Sequence, residues 1–220
     1  MVKKRKKTSK PMEFLKAAIV IALIGLVLRI FIFMPYRIAD PSMENALYEG
    51  DFMLTSKLSY SSGTPQVGDL VVFEHPLRID EIRSGRVAAV EGQTVEILDK
   101  LVYVDDEQLE IFGNIKHVDN RVIPESYGNR DYLQPYQVPA GAVYILGDNR
   151  DEAEDSRNFG VVNLENIKGK ALFVYWSWRP DPEAPEWESP YIFPAVKILF
   201  YNLVHFPSRI GWDRLGASGN

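Results

Sequence analysis

The chain is expected to be mostly β: a single N-terminal transmembrane helix followed by an antiparallel β domain with a small β insertion. Three observations predict this. An apolar stretch from Phe14 to Met34 follows a strongly basic start and has roughly the 20 residues that a bilayer core requires. Beyond it, short apolar runs recur between Gly-Asp and Asp-Lys turn signals, and helical periodicity is nearly absent. The segment between Pro35 and Pro180, about 145 residues, is long enough for one sizeable core.

Residues 1–13 read as a basic cytoplasmic tail, with Lys3, Lys4, Arg5, Lys6, Lys7 and Lys10 in the first ten positions and no acid among them. Residues 14–34 read as the anchor, with Lys16 and Arg29 placed to reach the two headgroup layers. A removable signal peptide is the competing reading, opposed by the length of the apolar region and by the lack of a small-x-small site after it. The positive-inside rule puts the N-terminus in the cytoplasm and the rest outside.

Within residues 35–180, Asp51–Thr55 and Leu70–Phe73 are each fed by a Gly-Asp turn. Thr94–Leu98 and Leu101–Val104 flank Asp99-Lys100 as a hairpin, and Asp105-Asp106-Glu107 makes the next turn. Residues 95–141 form a smaller, more polar excursion. Ala142–Leu146 and Leu172–Trp176 read as buried strands. In residues 181–220, a Pro- and acid-rich linker precedes an apolar segment, Pro190–Phe206, read as interfacial, with Pro194 breaking its start.

Composition excludes several chemistries. The net charge of −5 hides an asymmetry: after the first ten residues, 19 basic residues face 30 acidic ones, which argues against nucleic acid as a partner. The absence of cysteine rules out disulfides and thiolate catalysis. His75, His117 and His205 are widely spaced, so neither a metal nor another cofactor is expected, and each reads as a surface or half-buried residue.

The chemistry is concentrated in Gly147-Asp148-Asn149-Arg150 and Asp155-Ser156-Arg157, a charged loop directly after a buried strand, and in the lone Ser42 of Asp40-Pro41-Ser42-Met43. With Gly68–Phe73 and Arg86-Val87, these blocks occur in the order found in type I signal peptidases, the bacterial leader peptidase family, which the chain resembles from about Arg29 to Trp178. The resemblance implies cleavage of Ala-x-Ala-type sites in exported pre-proteins at the outer face of the bacterial cytoplasmic membrane. It makes Ser42 the nucleophile and Asp148, Asn149, Arg150, Asp155 and Arg157 the support of the site, with Met43, Arg86 and Val87 next to the substrate. Signal peptides and the lipid bilayer are the implied partners, alongside assembly or secretion proteins.

The chain departs from the family pattern at its base. The lysine expected before Arg86-Val87 is Gly85, and the serine that would bond its amine is Ala153. The Pro-Thr expected after Ser42-Met43-Glu44 is Asn45-Ala46, and the serine two residues before the nucleophile is Asp40. Lys57 matches a family lysine without a catalytic role. A serine hydroxyl needs a base to take its proton. Two readings follow: a membrane-bound serine endopeptidase with its base from elsewhere, or a binding protein that holds signal-like or pilin-like segments without cutting them. An anchored structural domain is the third and weakest.

Overall fold

The computed structural model describes residues 10–61, 63–110, 115–185 and 192–218 of the 220-residue chain. Most of the expected basic tail and part of the expected linker lie outside the described residues.

Helix α1 (Lys10–Phe31) has 22 residues and none of them is buried. At about 1.5 Å per residue it is long enough to cross a ~30 Å hydrocarbon core. Its boundaries correct the sequence reading: Phe33 and Met34 do not belong to the helix but open strand β1 (Phe33–Arg37). The helix stops where Lys57 grips it, Nζ donating to Ile30 O at 2.9 Å and the backbone N–H to Ile32 O at 2.8 Å. These bonds satisfy carbonyls that a helix end leaves open, and they put a cation at the negative end of the dipole. Lys57 thereby ties the end of α1 to the β domain.

The main sheet contains β1, β2 (Asp51–Ser56), β3 (Leu70–Glu74), β4 (Ile82–Val90), β9 (Ala142–Leu146), β10 (Val162–Asn163) and β11 (Ile167–Ser177). Their spatial order is β1-β2-β11-β3-β4-β9-β10. Pro35 is tolerated in β1 because β1 is an edge strand. The second sheet, β7-β6-β5-β8, comes from β5 (Thr94–Leu98), β6 (Leu101–Val104), β7 (Glu107–Gln108) and β8 (Leu133–Gln137). Every pairing of named strands is antiparallel. The β5–β6 turn has Asp99 and Lys100 at φ 49° and 71°, and the β6–β7 turn has Asp105 and Asp106 at 52° and 68°. Two consecutive left-handed residues match the right-handed twist of the flanking strands.

Three apolar clusters fill the interior. One lies between the sheets and includes Val95, Ile97, Ala88, Tyr144 and Leu146. A second joins Ile38, Met43 and Leu47 to Met53, Val72 and Val174. The third holds Phe73, Val87, Ile145 and Phe159.

After β11 the chain forms α3 (Ile192–Val204) and α4 (Phe206–Arg209), with Pro194 inside the first turn of α3. Pro194 is the third residue of the helix and does not break it, since a first-turn N–H has no partner within the helix anyway. Residues beyond α4 do more than trail away. Ile210 bridges to Trp178, Gly216 and Ala217 exchange bonds with Val174 at 2.8 Å, and Arg214 reaches Asp51 at 2.9 Å.

Candidate functional site

Ser42 lies in a single 3-10 turn, Pro41–Met43, between the end of β1 and the start of β2. The turn is locally determined: Asp40 caps it, its carboxylate accepting the Ser42 N–H at 3.0 Å, and Pro41 supplies the first helical φ. Its far side is held by the loop after β9. Asn149 donates its backbone N–H to Ser42 O at 3.0 Å and its side-chain amide to Pro41 O at 3.1 Å. Gly147 lets the loop come this close, because a Cβ there would lie 2.5 Å from Ser42 O and 2.3 Å from the Ala153 Cβ.

The charged residues of the loop are largely structural. Arg86 and Asp148, at 1% and 0% exposure, form a two-point ion pair at 2.9 and 2.6 Å. Asp155 accepts two bonds from the Arg157 guanidinium, at 2.9 and 2.7 Å, one from the Arg157 N–H at 3.1 Å and one from the Gly147 N–H at 2.9 Å. It also caps the short helix α2 (Ser156–Phe159) in a capping box with Asn158. Arg150 donates to Gly147 O at 3.1 Å, and burial brings its pKa down to about 10.

Asp151 ties the same loop to the polar excursion. It accepts from Lys100 Nζ at 2.9 Å and from the Asp119 N–H at 2.8 Å. Burial raises its pKa, but these bonds outweigh burial and hold it at about 2. A depressed carboxyl stabilises the fold fully above the unfolded value, about pH 4, and that contribution disappears as pH falls through the folded one. Urea midpoints are therefore expected to drop on acidification from about pH 4 toward pH 2, with a shallower drop in Asp151→Asn. An equally steep drop in that variant would contradict the assignment.

A second charge network touches Ser42 through Asp40. Arg83 lies 3.5 Å from Asp40 and pairs with Glu81 and with Glu154 at 3.1 Å; Arg78 joins the same two acids. His75 lies at its edge, 3.9 Å from Glu154 and only 4% exposed, so it is a buried residue rather than the surface or half-buried one expected. Burial and the neighbouring Arg78 lower its pKa. No metal-binding cluster occurs among the described residues.

Gly85, in the middle of β4, is packed shut. A Cβ there would sit 2.4 Å from Ile145 Cγ2 and 3.5 Å from the ring of Phe73. Ser42 is 5% exposed, and no hydrogen bond to its hydroxyl occurs among the described residues. Lys116 bonds within its turn, Nζ to Glu44 at 2.8 Å, on a segment bridged to Asn149. That bond to Glu44 raises the Lys116 pKa. Beside the turn opens a cleft of about 540 Å³, bordered by Pro41, Glu44, Tyr48, Ser177, Arg179 and Arg214.

Residues 11–176 match the family described as signal peptidase, peptidase S26. The chain belongs to the signal peptidase family. It is 30% identical to a signal peptidase I of Aquifex aeolicus (strain VF5), across 87% of this chain and 94% of that one. It is 34% identical to a probable signal peptidase I-1 of Synechocystis sp., across 76% of this chain and 85% of that one. Among solved structures, a signal peptidase I from Enterococcus faecalis V583 is 27% identical, with a TM-score of 0.39, covering 49% of this chain and 96% of that chain.

Within this signal peptidase family member, three expected substrate contacts prove to be interior. Met43 and Val87 are 0% exposed in separate core clusters, and Arg86 is occupied by Asp148. The turn after Ser42 also has its own course. Asn45 has φ 94°, which proline, locked near −65°, cannot adopt. Lys116 carried no sequence motif, and the path of the excursion alone brings it to this turn.

Proposed function

We propose that the chain receives signal peptides of exported pre-proteins at the outer face of the bacterial cytoplasmic membrane, with the Ser42 turn as the point of contact, and holds them without cutting them by its own serine-lysine chemistry. One observation carries this reading: the position assigned to the lysine by resemblance, Gly85, has its Cβ space filled by Ile145. An absent base can be supplied from elsewhere, but a filled site cannot simply accept one back. Two further features agree. Ala153, at the position of the lysine's partner, packs on Gly147. The Ser42 N–H, the kind of backbone donor that stabilises an oxyanion in acyl transfer, is already bound to the Asp40 carboxylate, which would repel an oxyanion.

The test is a photoreactive side chain at Glu44, compared with one at Glu107 on the second sheet, in proteoliposomes with a pre-protein. Crosslinks from position 44 to the signal segment, absent from position 107, are expected. Equal or no crosslinking at position 44 would remove the reading.

The enzyme reading keeps one foothold, the Lys116 ammonium held at Glu44. The raised pKa opposes it, since a general base must give up its proton near the working pH. Lys116→Met is accordingly expected to leave signal-peptide capture unchanged and to reveal no lost cleavage. Loss of a Ser42-dependent product in Lys116→Met would install Lys116 as the base.

A further inference from the structure

Helix α3 carries its apolar residues on the wrong side for a core helix. Val196, Leu199, Phe200 and Leu203 stand at i, i+3, i+4 and i+7, which is one face of a helix. They are 58%, 71%, 67% and 70% exposed. The face toward the domain is shared by Ile198, Tyr201 and Asn202, which are half-buried. Tyr201 is fixed by Asp181 at 2.8 Å, and Asn202 by Arg209 at 2.6 Å. The outward apolar stripe is thus held in position by polar bonds on the inward side. No acid occurs in α3, and Lys197 is its one charge.

The root of α3 is equally fixed. The chain leaves at Trp178 and returns at Ile210, two residues bridged to each other, and Trp176, Trp178 and Phe206 form an aromatic group there with Arg209 4.7 Å over the Trp178 ring. Aromatic residues and arginine at the foot of an apolar stripe are the composition of a membrane-water boundary.

We infer that α3 is a second membrane contact, its Val196-Leu199-Phe200-Leu203 face entering the same leaflet from which α1 emerges. The occupant is lipid because the same chain already carries a helix long enough to cross a bilayer, clamped to the domain by Lys57. The register of the sheet adds a geometric reason. At one end of the β1-β2-β11 ladder, Phe33 pairs with Ser56 and Ser56 with Lys170; at the other, Arg37 pairs with Phe52 and Asp51 with Ser177. Anchor α1 joins the first end, whereas α3 and the Ser42 turn both join the second. The four steps from Phe33 to Arg37 span about 13 Å. Held at one end, the ladder could tip and lift Ser42 from the membrane; held at both, it lies along the surface and keeps Ser42 beside a membrane-tethered segment.

This rests on α1 being a membrane anchor, and the test separates the two claims. Because the chain has no cysteine, a single Cys can be labelled at any position. The full chain, labelled with an environment-sensitive fluorophore at Leu199→Cys, Leu23→Cys or Glu107→Cys, is placed in phosphatidylethanolamine-phosphatidylglycerol vesicles carrying lipid-attached quenchers. Quenching at positions 199 and 23, but not at 107, is the expected result. Quenching at 23 alone overturns the α3 contact and leaves the anchor standing; no quenching at either overturns both. A change at 199 that appears only at high protein-to-lipid ratio overturns it too, by assigning the stripe to a second copy of the chain. In Leu199→Glu with Leu203→Glu, the fold is expected to survive while crosslinking of a signal peptide at the Ser42 turn falls several-fold.

Discussion

Asp148→Ala is expected to lower stability by about 3–5 kcal/mol, among the largest effects of any single change outside the apolar core. The carboxylate is 0% exposed and takes two bonds from Arg86, which is itself 1% exposed. Removing it takes away the carboxylate to which two nitrogens of this buried guanidinium donate. The cost is one of breaking the pair, not of lacking it, so Arg86→Met combined with Asp148→Leu is expected to recover most of the loss. The damage would spread to the serine turn, because Asp148 O receives the Lys116 N–H and the next residue, Asn149, holds Ser42 O. Urea denaturation of the detergent-solubilised chain checks this. A drop below about 1 kcal/mol in Asp148→Ala would place the pair in effective contact with water.

The second large effect concerns Gly85. Gly85→Lys alone is expected to cost about 1–3 kcal/mol by overpacking against Ile145 and to yield no cleavage. Ile145 cannot step aside easily, since the blocking atom is a methyl on its β-carbon, in a strand where every residue is buried. Opening the space with Ile145→Ala lets the lysine stem replace the lost methyl groups, next to Phe73. An apolar wall there lowers a lysine's pKa, as a base requires. Ala153→Ser restores a partner for the amine, and Asp40→Ser frees the Ser42 N–H from a carboxylate. The four changes together are expected to give Ser42-dependent product from a pre-protein, about 10²–10⁴ faster than the same variant with Gly85 retained, the usual worth of a general base. Cleavage by Gly85→Lys alone, at wild-type stability, would show that the space is open after all.

The parts of the fold that were legible in the sequence are those whose cause is local. The hairpin at Asp99-Lys100 was readable because only some residues tolerate the left-handed backbone both of them adopt. Strand β9 was readable as an apolar run ending in a charged loop. Strand β4 was not: Ser84 to Ala89 are all buried, so no inside-outside alternation marks it. Strand β1 was hidden because its first residues continue the apolarity of α1. At the site, the departures at Gly85, Ala153 and Asp40 could be seen in the sequence, but the closure of Gly85 by Ile145 depends on a neighbouring strand 60 residues away. The same holds for Arg214 reaching Asp51, 163 residues apart, which turns the end of the chain into part of the domain. Burial of Met43, Arg86 and Val87 likewise follows from packing that no motif displays.

The most direct test compares the full-length wild type with Ser42→Ala in proteoliposomes that contain a pre-protein with an Ala-x-Ala site, following capture and cleavage together. Both are predicted to capture the pre-protein equally, and neither to release mature protein. A mature product formed by the wild type and absent with Ser42→Ala would contradict the account, because it would mean that Ser42 has a working base despite the filled position at Gly85.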